Sequence, residues 1–117
     1  MIKKEIISYQ FGERIKSELI IGSKMLEAVE SLEACELRGA KKAMDAFLDA
    51  LAVEIGMALR ATGQPEFAMV EEKLRDARRK IEEADYREAH ANLGRAVSHA
   101  TTACDKTVRT LMDTDKT

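Results

Sequence analysis

Apolar side chains recur in this chain at alternating steps of three and four residues, the spacing that builds one face of an α-helix. After Pro65 they fall at Phe67, Val70, Leu74, Ala77, Ile81 and Ala84. The final third repeats the pattern at Tyr86, Ala89, Leu93, Ala96, Ala100, Cys104 and Leu111, with Val97 and Val108 widening the stripe. The positions between are largely charged or polar, so each segment predicts a helix with a single face to bury.

The first half carries more apolar surface than one face needs. One stripe of the first helix holds Ile15, Leu19, Leu26 and Val29, and a second, about 100° away, holds Ile21, Met25, Ala28, Leu32 and Cys35. The second helix shows Met44, Leu48, Leu51, Ile55 and Ala58 on one flank. Ala46, Ala50, Val53 and Met57 run along the other, with Phe47 between them. Lys41, Asp45, Asp49 and Arg60 are left on a narrow polar strip.

Three breakpoints punctuate the pattern. Gly39, after Arg38, reads as the end of a helix over 12–37, with the next helix over 40–62. Thr62-Gly63-Gln64-Pro65 pairs a Gly stop with a Pro start. Asp85, between Ala84 and Tyr86, is placed to cap the last helix. Such short joints turn each helix back on the previous one. The expected fold is all-α, an antiparallel up-down four-helix bundle forming one domain over 1–117. Residues 1–11 would be an N-terminal arm or an extra helical turn, and 113–117 a disordered tail.

The second apolar face of the first hairpin needs a cover. Each large side chain left in water there forfeits roughly 1.5–3 kcal/mol of burial, and soluble monomers seldom expose several together. The simplest cover is the same face of a second copy. The expectation is a homodimer through helices one and two, with Ile21, Met25, Leu32, Val53 and Met57 at the interface. The alternative is that Ile2, Ile6, Ile7, Tyr9 and Phe11 fold back over that face.

Composition narrows the function classes. The chain has 117 residues, 45% hydrophobic and 34% charged, enough for one compact core. Its 19 basic and 21 acidic side chains leave a net charge of −2, which supplies no general pull toward nucleic acid or anionic membrane. Lys3-Lys4 is followed by no apolar run of the secretory kind, and no stretch is long enough for a membrane helix. Cys35 and Cys104 form neither a zinc signature nor a disulfide framework. The up-down order places them far apart, so both are expected as reduced, small core residues of a cytoplasmic protein.

Four constellations could carry chemistry. Glu54 lies among apolar positions of the second helix, where a carboxylate needs a partner or a proton. A bridge to an Arg or Lys of another helix or of a partner subunit is expected. Next, Glu33, Glu36, Asp45, Asp49 and His90 should gather at one end of the bundle, a donor set suited to Mg²⁺, Mn²⁺ or iron. Glu33-x-x-Glu36 followed by acids on the next helix resembles the all-α nucleotide pyrophosphohydrolases, which implies Mg²⁺-dependent hydrolysis. Their Glu doublet is missing here, and Asp45-x-x-x-Asp49 stands where they have Glu-x-x-Asp.

The basic run Arg75, Arg78, Arg79 and Lys80 alternates with Glu71, Glu72, Asp76, Glu82 and Glu83. Pairs such as Glu71–Arg75 and Asp76–Lys80 explain it as an ion-paired surface rather than a nucleic-acid face. Finally, Leu74-Arg75-Asp76-Ala77 through Asp85-Tyr86-Arg87-Glu88-Ala89, then an Ala-rich helix, resembles the second half of the HEPN-type helical bundles. Several of these are dimeric ribonucleases with an Arg and a His at the dimer interface. The resemblance implies Arg95 and His99 as a catalytic pair, although three residues intervene here and four to six do in the family.

The reading that fits most of these features is a small helical interaction or scaffold protein without catalysis or cofactor of its own. It would self-associate and present charged faces to a protein partner. A HEPN-like ribonuclease or nucleotide-binding module using Arg95 and His99 comes second, and a Mg²⁺-dependent nucleotide pyrophosphohydrolase third.

Overall fold

The computed structural model describes residues 2–115, with side chains described as far as Asp113. It contains four α-helices: α1 (Ile2–Glu30), α2 (Ala34–Thr62), α3 (Pro65–Glu82) and α4 (Tyr86–Asp115). α1 packs against α2 and α4, and α3 packs against the same two. Paired positions run in opposite senses along α1 and α4: Ser8 lies beside Thr107, Gly12 beside Cys104 and Ser23 beside His90. The body measures 59 × 20 × 17 Å.

The four apolar stripes meet in one core. Ile15, Leu19, Leu26 and Val29 of α1 face Met44, Leu48, Leu51 and Ile55 of α2. Phe67, Val70, Leu74, Ala77 and Ile81 of α3, with Ala89, Leu93, Ala96 and Ala100 of α4, complete it. The Ala-rich α4 lets its neighbours approach closely. A Cβ on Gly12 would come within 2.5 Å of Cys104 Sγ. Ala84, the last position of the predicted α3 stripe, instead takes a left-handed φ of 59° in the α3–α4 turn and is exposed.

The helix boundaries of the first half differ from the sequence reading. The first joint is at 31–33 rather than at Gly39. Ser31 closes α1 by donating through N and Oγ to the Ala28 carbonyl, and Leu37 N donates to Glu33 O to open α2. Gly39 lies within α2 at an ordinary helical φ, so its glycine is not needed for a turn. Gly63 is the contrasting case: it ends α2 in the left-handed region at φ 65°, its N–H bonded to Leu59 O. The joint's shift makes Cys35 the second residue of α2, exposed rather than in the core.

Residues 2–11 are the opening turns of α1, continuing its axis. They lie along α4, where Thr107 donates to Ser8 Oγ at 3.4 Å and the Cys104 thiol to Tyr9 O at 4.0 Å. They are not an arm folded over the first hairpin. At the other terminus α4 continues through Asp115, so residues 113–115 are helical rather than tail, and the remainder of that expectation lies outside the described residues. Asp85 does cap α4, accepting from Glu88 N at 3.3 Å.

Helix lengths set the ends of the molecule. With 18 residues α3 spans about 27 Å, against about 43 Å for the 29-residue α1 and α2. Arg78, near the end of α3, is level with Asp45 and Asp49 of α2, so the first turns of α2 project past α3. At the other end Glu66 pairs with Lys106, and α4 runs on beside the opening turns of α1. No helix of the described residues is long and apolar enough to cross a membrane.

Candidate interaction site on the outer face of α1 and α2

The seam between α1 and α2 is marked on its outer side by the Arg14 guanidinium, 2.9 Å from Glu54 Oε1. Ile21 stands seven residues beyond Arg14, two helical turns further along the same face of α1. On α2, Met57 and Val53 flank Glu54 at steps of three and one. All three apolar side chains are about half exposed: Ile21 51%, Val53 59% and Met57 49%. Ala46 and Ala50, exposed on the same flank of α2, lie near the level of Ile21 because Phe47 packs beside Gly22. The surface is therefore a shallow apolar strip with an ionic cluster partway along it.

The other two expected interface residues are less open. Met25 is half-buried and packs on the core from the α1 side. Leu32 is half-buried in the α1–α2 turn, its N–H bonded to Val29 O. The opening turns of α1, which could have covered the strip, are committed to α4 instead.

Glu54 does find a cation of another helix, but the arrangement is more crowded than a simple bridge. Its side chain is 15% exposed, whereas that of Arg14 is 66% exposed. Although Arg14 lies close, Glu54 Oε1 is buried and accepts no hydrogen bond. Glu18, four residues after Arg14, is the third member. Burial first, then a hydrogen bond to Glu54 and the Glu54 charge, push the Glu18 carboxyl up from its ordinary range, with Arg14 opposing. Two carboxyls compete here for one partly solvated guanidinium, and a proton on Glu18 relieves that. The i, i+4 spacing from Arg14 to Glu18 was available in the sequence as the signal for this third member.

The remaining candidates are dispersed. Asp45 and Asp49 are held by Arg78, at 2.9 and 3.6 Å. His90 contacts Glu30 Oε1 through Nε2 and lies 3.3 Å from Ser23 Oγ through Nδ1, so its carboxylate neighbour is Glu30 rather than Glu33 or Glu36. Among the described residues no three His, Cys, Asp or Glu side chains converge in a way that could hold a metal ion. Arg95 donates to Asn92 Oδ1 at 2.9 Å and lies 3.9 Å from Glu88, both on the preceding turns of α4. Its guanidinium thus leans away from His99, which is half-buried one turn further on.

The basic run of α3 is ion-paired. Arg75 reaches Glu71 at 3.5 Å, whereas Lys80 pairs with Glu83 at 3.2 Å rather than with Asp76, which takes Lys73 and Arg79.

No family model, curated protein or solved structure matches this chain. The functional reading therefore rests on the geometry alone.

Proposed function

We propose that this chain is an antiparallel up-down helical bundle whose role is protein interaction. It pairs with a second copy through the outer face of α1 and α2 and has no catalysis of its own. The observation that carries the reading is the exposure of Ile21, Val53 and Met57 on one strip left uncovered by the described residues. Burying each of these half-exposed side chains would recover roughly half of the 1.5–3 kcal/mol that full burial is worth.

The ionic cluster supports a second copy as the occupant. A two-fold contact places the same patch on both sides, so residue i meets j and j meets i. Arg14, largely exposed, sits beside an over-supplied carboxyl pair. A face with an accessible guanidinium next to surplus carboxyl oxygens is complementary to itself. The small side chains Ala46 and Ala50 leave room for Ile21 of the partner subunit to approach. The unbridged thiols suit a reducing compartment, which fits a cytoplasmic site of action.

The test is the mass in solution of the wild type and of Val53→Glu and Met57→Glu. A dimer that becomes a folded monomer in either variant is the expected result. A wild type that stays monomeric at every concentration contradicts the reading.

A further inference from the structure

A groove opens where α2 outruns α3. Its floor is aliphatic and belongs to the core: Met44 and Leu48 are 1% exposed and Ile81 is 6%. Its rim is cationic, with Arg38, Lys41 and Lys42 from the projecting turns of α2 and Arg78 from α3, against Asp45 and Glu82. The cavity measures about 350 Å³, within the range of roughly 300–1,000 Å³ typical of small-molecule sites. It lies at the α3 side of α2, away from the Arg14–Glu54 seam.

The cations divide into two kinds. Arg78 is engaged, lying between Asp45 and Asp49 across the α2–α3 joint. Arg38, Lys41 and Lys42 of α2 have no ion pair among the described residues, whereas all five cations of α3 do. A cluster of like charges beside an apolar floor is unfavourable unless an anion joins it, and the low-dielectric floor strengthens that attraction.

The geometry points to a binding site for a single-chain amphiphilic anion, an aliphatic tail ending in a carboxylate. The tail would lie along the aliphatic stems of Arg38, Lys41 and Arg78, above Met44, Leu48 and Ile81, and the head group would meet the charged ends of Arg38, Lys41 and Lys42. The lining decides between ligand classes. It holds no aromatic side chain on which a base could stack and no Gly-rich loop to cradle phosphates, which disfavours a nucleotide. Its volume takes one flexible chain rather than a partner helix of 10–12 Å diameter.

The experiment is titration of the intact protein with dodecanoate below its micelle concentration, followed by calorimetry and by the NMR signals of the Met44 and Leu48 methyls. Dodecyltrimethylammonium and vesicles of anionic phospholipid serve as comparison probes. Saturable one-to-one binding of dodecanoate that shifts the Met44 and Leu48 methyls is expected, with the cationic analogue at least about tenfold weaker. The variant Arg38→Glu/Lys41→Glu should weaken dodecanoate by about tenfold or more while keeping the wild-type helical signal, and Lys24→Glu on α1 should not. Absence of saturable binding, equal binding of the cationic analogue, shifts confined to Ile21, Val53 and Met57, or binding only to vesicles would each overturn the assignment. A variant that loses its helical signal is replaced by Lys41→Gln/Lys42→Gln, to which the same criterion applies.

Discussion

Gly12 of α1 lies so close to Cys104 of α4 that a Cβ would stand 2.5 Å from the Cys104 sulfur. The two helices approach here because one has no side chain and the other a small one. Ala normally stabilises a helix interior by about 1 kcal/mol over Gly. At this position overpacking should dominate, and Gly12→Ala is expected to destabilise by roughly 1–3 kcal/mol in chemical denaturation. Adding Cys104→Ala should restore part of that loss. Additive losses in the double variant would show that the two residues do not compete for the same space.

The thiols should react very differently. Burial, reinforced by the charge of Glu13 and a hydrogen bond to it, pushes the Cys104 thiol up to about 11, and it is buried against α1. Cys35 is exposed at the start of α2. Since only the thiolate reacts, one fast thiol is expected in the native protein with a disulfide reagent at neutral pH. Cys35→Ser should abolish the fast phase and Cys104→Ser should leave it intact. Two fast thiols would mean that α1 and α4 open readily at their shared end.

A pH signature follows from Glu18. Its folded carboxyl is raised above its ordinary value of 4.5 by burial, by the hydrogen bond to Glu54 and by the Glu54 charge. A raised value favours the folded state while the group holds its proton. That contribution is complete below 4.5 and is lost as pH rises through the folded value. Above the folded value the ionised Glu18 carboxylate is a cost, so Glu18→Gln should unfold at a higher temperature than wild type there. The gain should shrink toward zero as pH falls below 4.5. A gain that is independent of pH would place its origin in packing rather than in charge.

Gly39 and Gly63 explain much of what the sequence could and could not reveal. Apolar spacing identified every buried position from Met44 to Ala58 and from Phe67 to Ile81, because burial on a helix imposes a period that neighbours cannot disguise. A glycine, by contrast, looks the same whether it ends a helix or merely occupies one. Gly63 is at φ 65° and ends α2, but Gly39 is an ordinary helical residue. The true joint at 31–33 rests on backbone bonds from Ser31 and Leu32, which carry no strong compositional mark. The apolar strip was legible as surplus periodicity. For Glu18 only the i, i+4 spacing to Arg14 was legible; its contact with Glu54, 36 residues away across the α1–α2 seam, was not.

That contrast can be measured directly. Gly63→Ala forces a Cβ into the left-handed region and should cost about 1 kcal/mol or more. Gly39→Ala meets no atom within 4 Å and should stabilise by about 0.5–1 kcal/mol. Opposite signs in the two unfolding midpoints are expected. A destabilising Gly39→Ala would place the end of the first helix at residue 38 after all.

The central claim is that the strip bearing Ile21, Val53 and Met57 is an interface between two copies. Light scattering across a wide range of protein concentrations measures it most directly. The account predicts a mass twice that of the 13.0 kDa chain, falling to the single-chain value in Met57→Glu with the helical signal kept. A single-chain mass for the wild type throughout, or a dimer that Met57→Glu and Val53→Glu leave undisturbed, would contradict it.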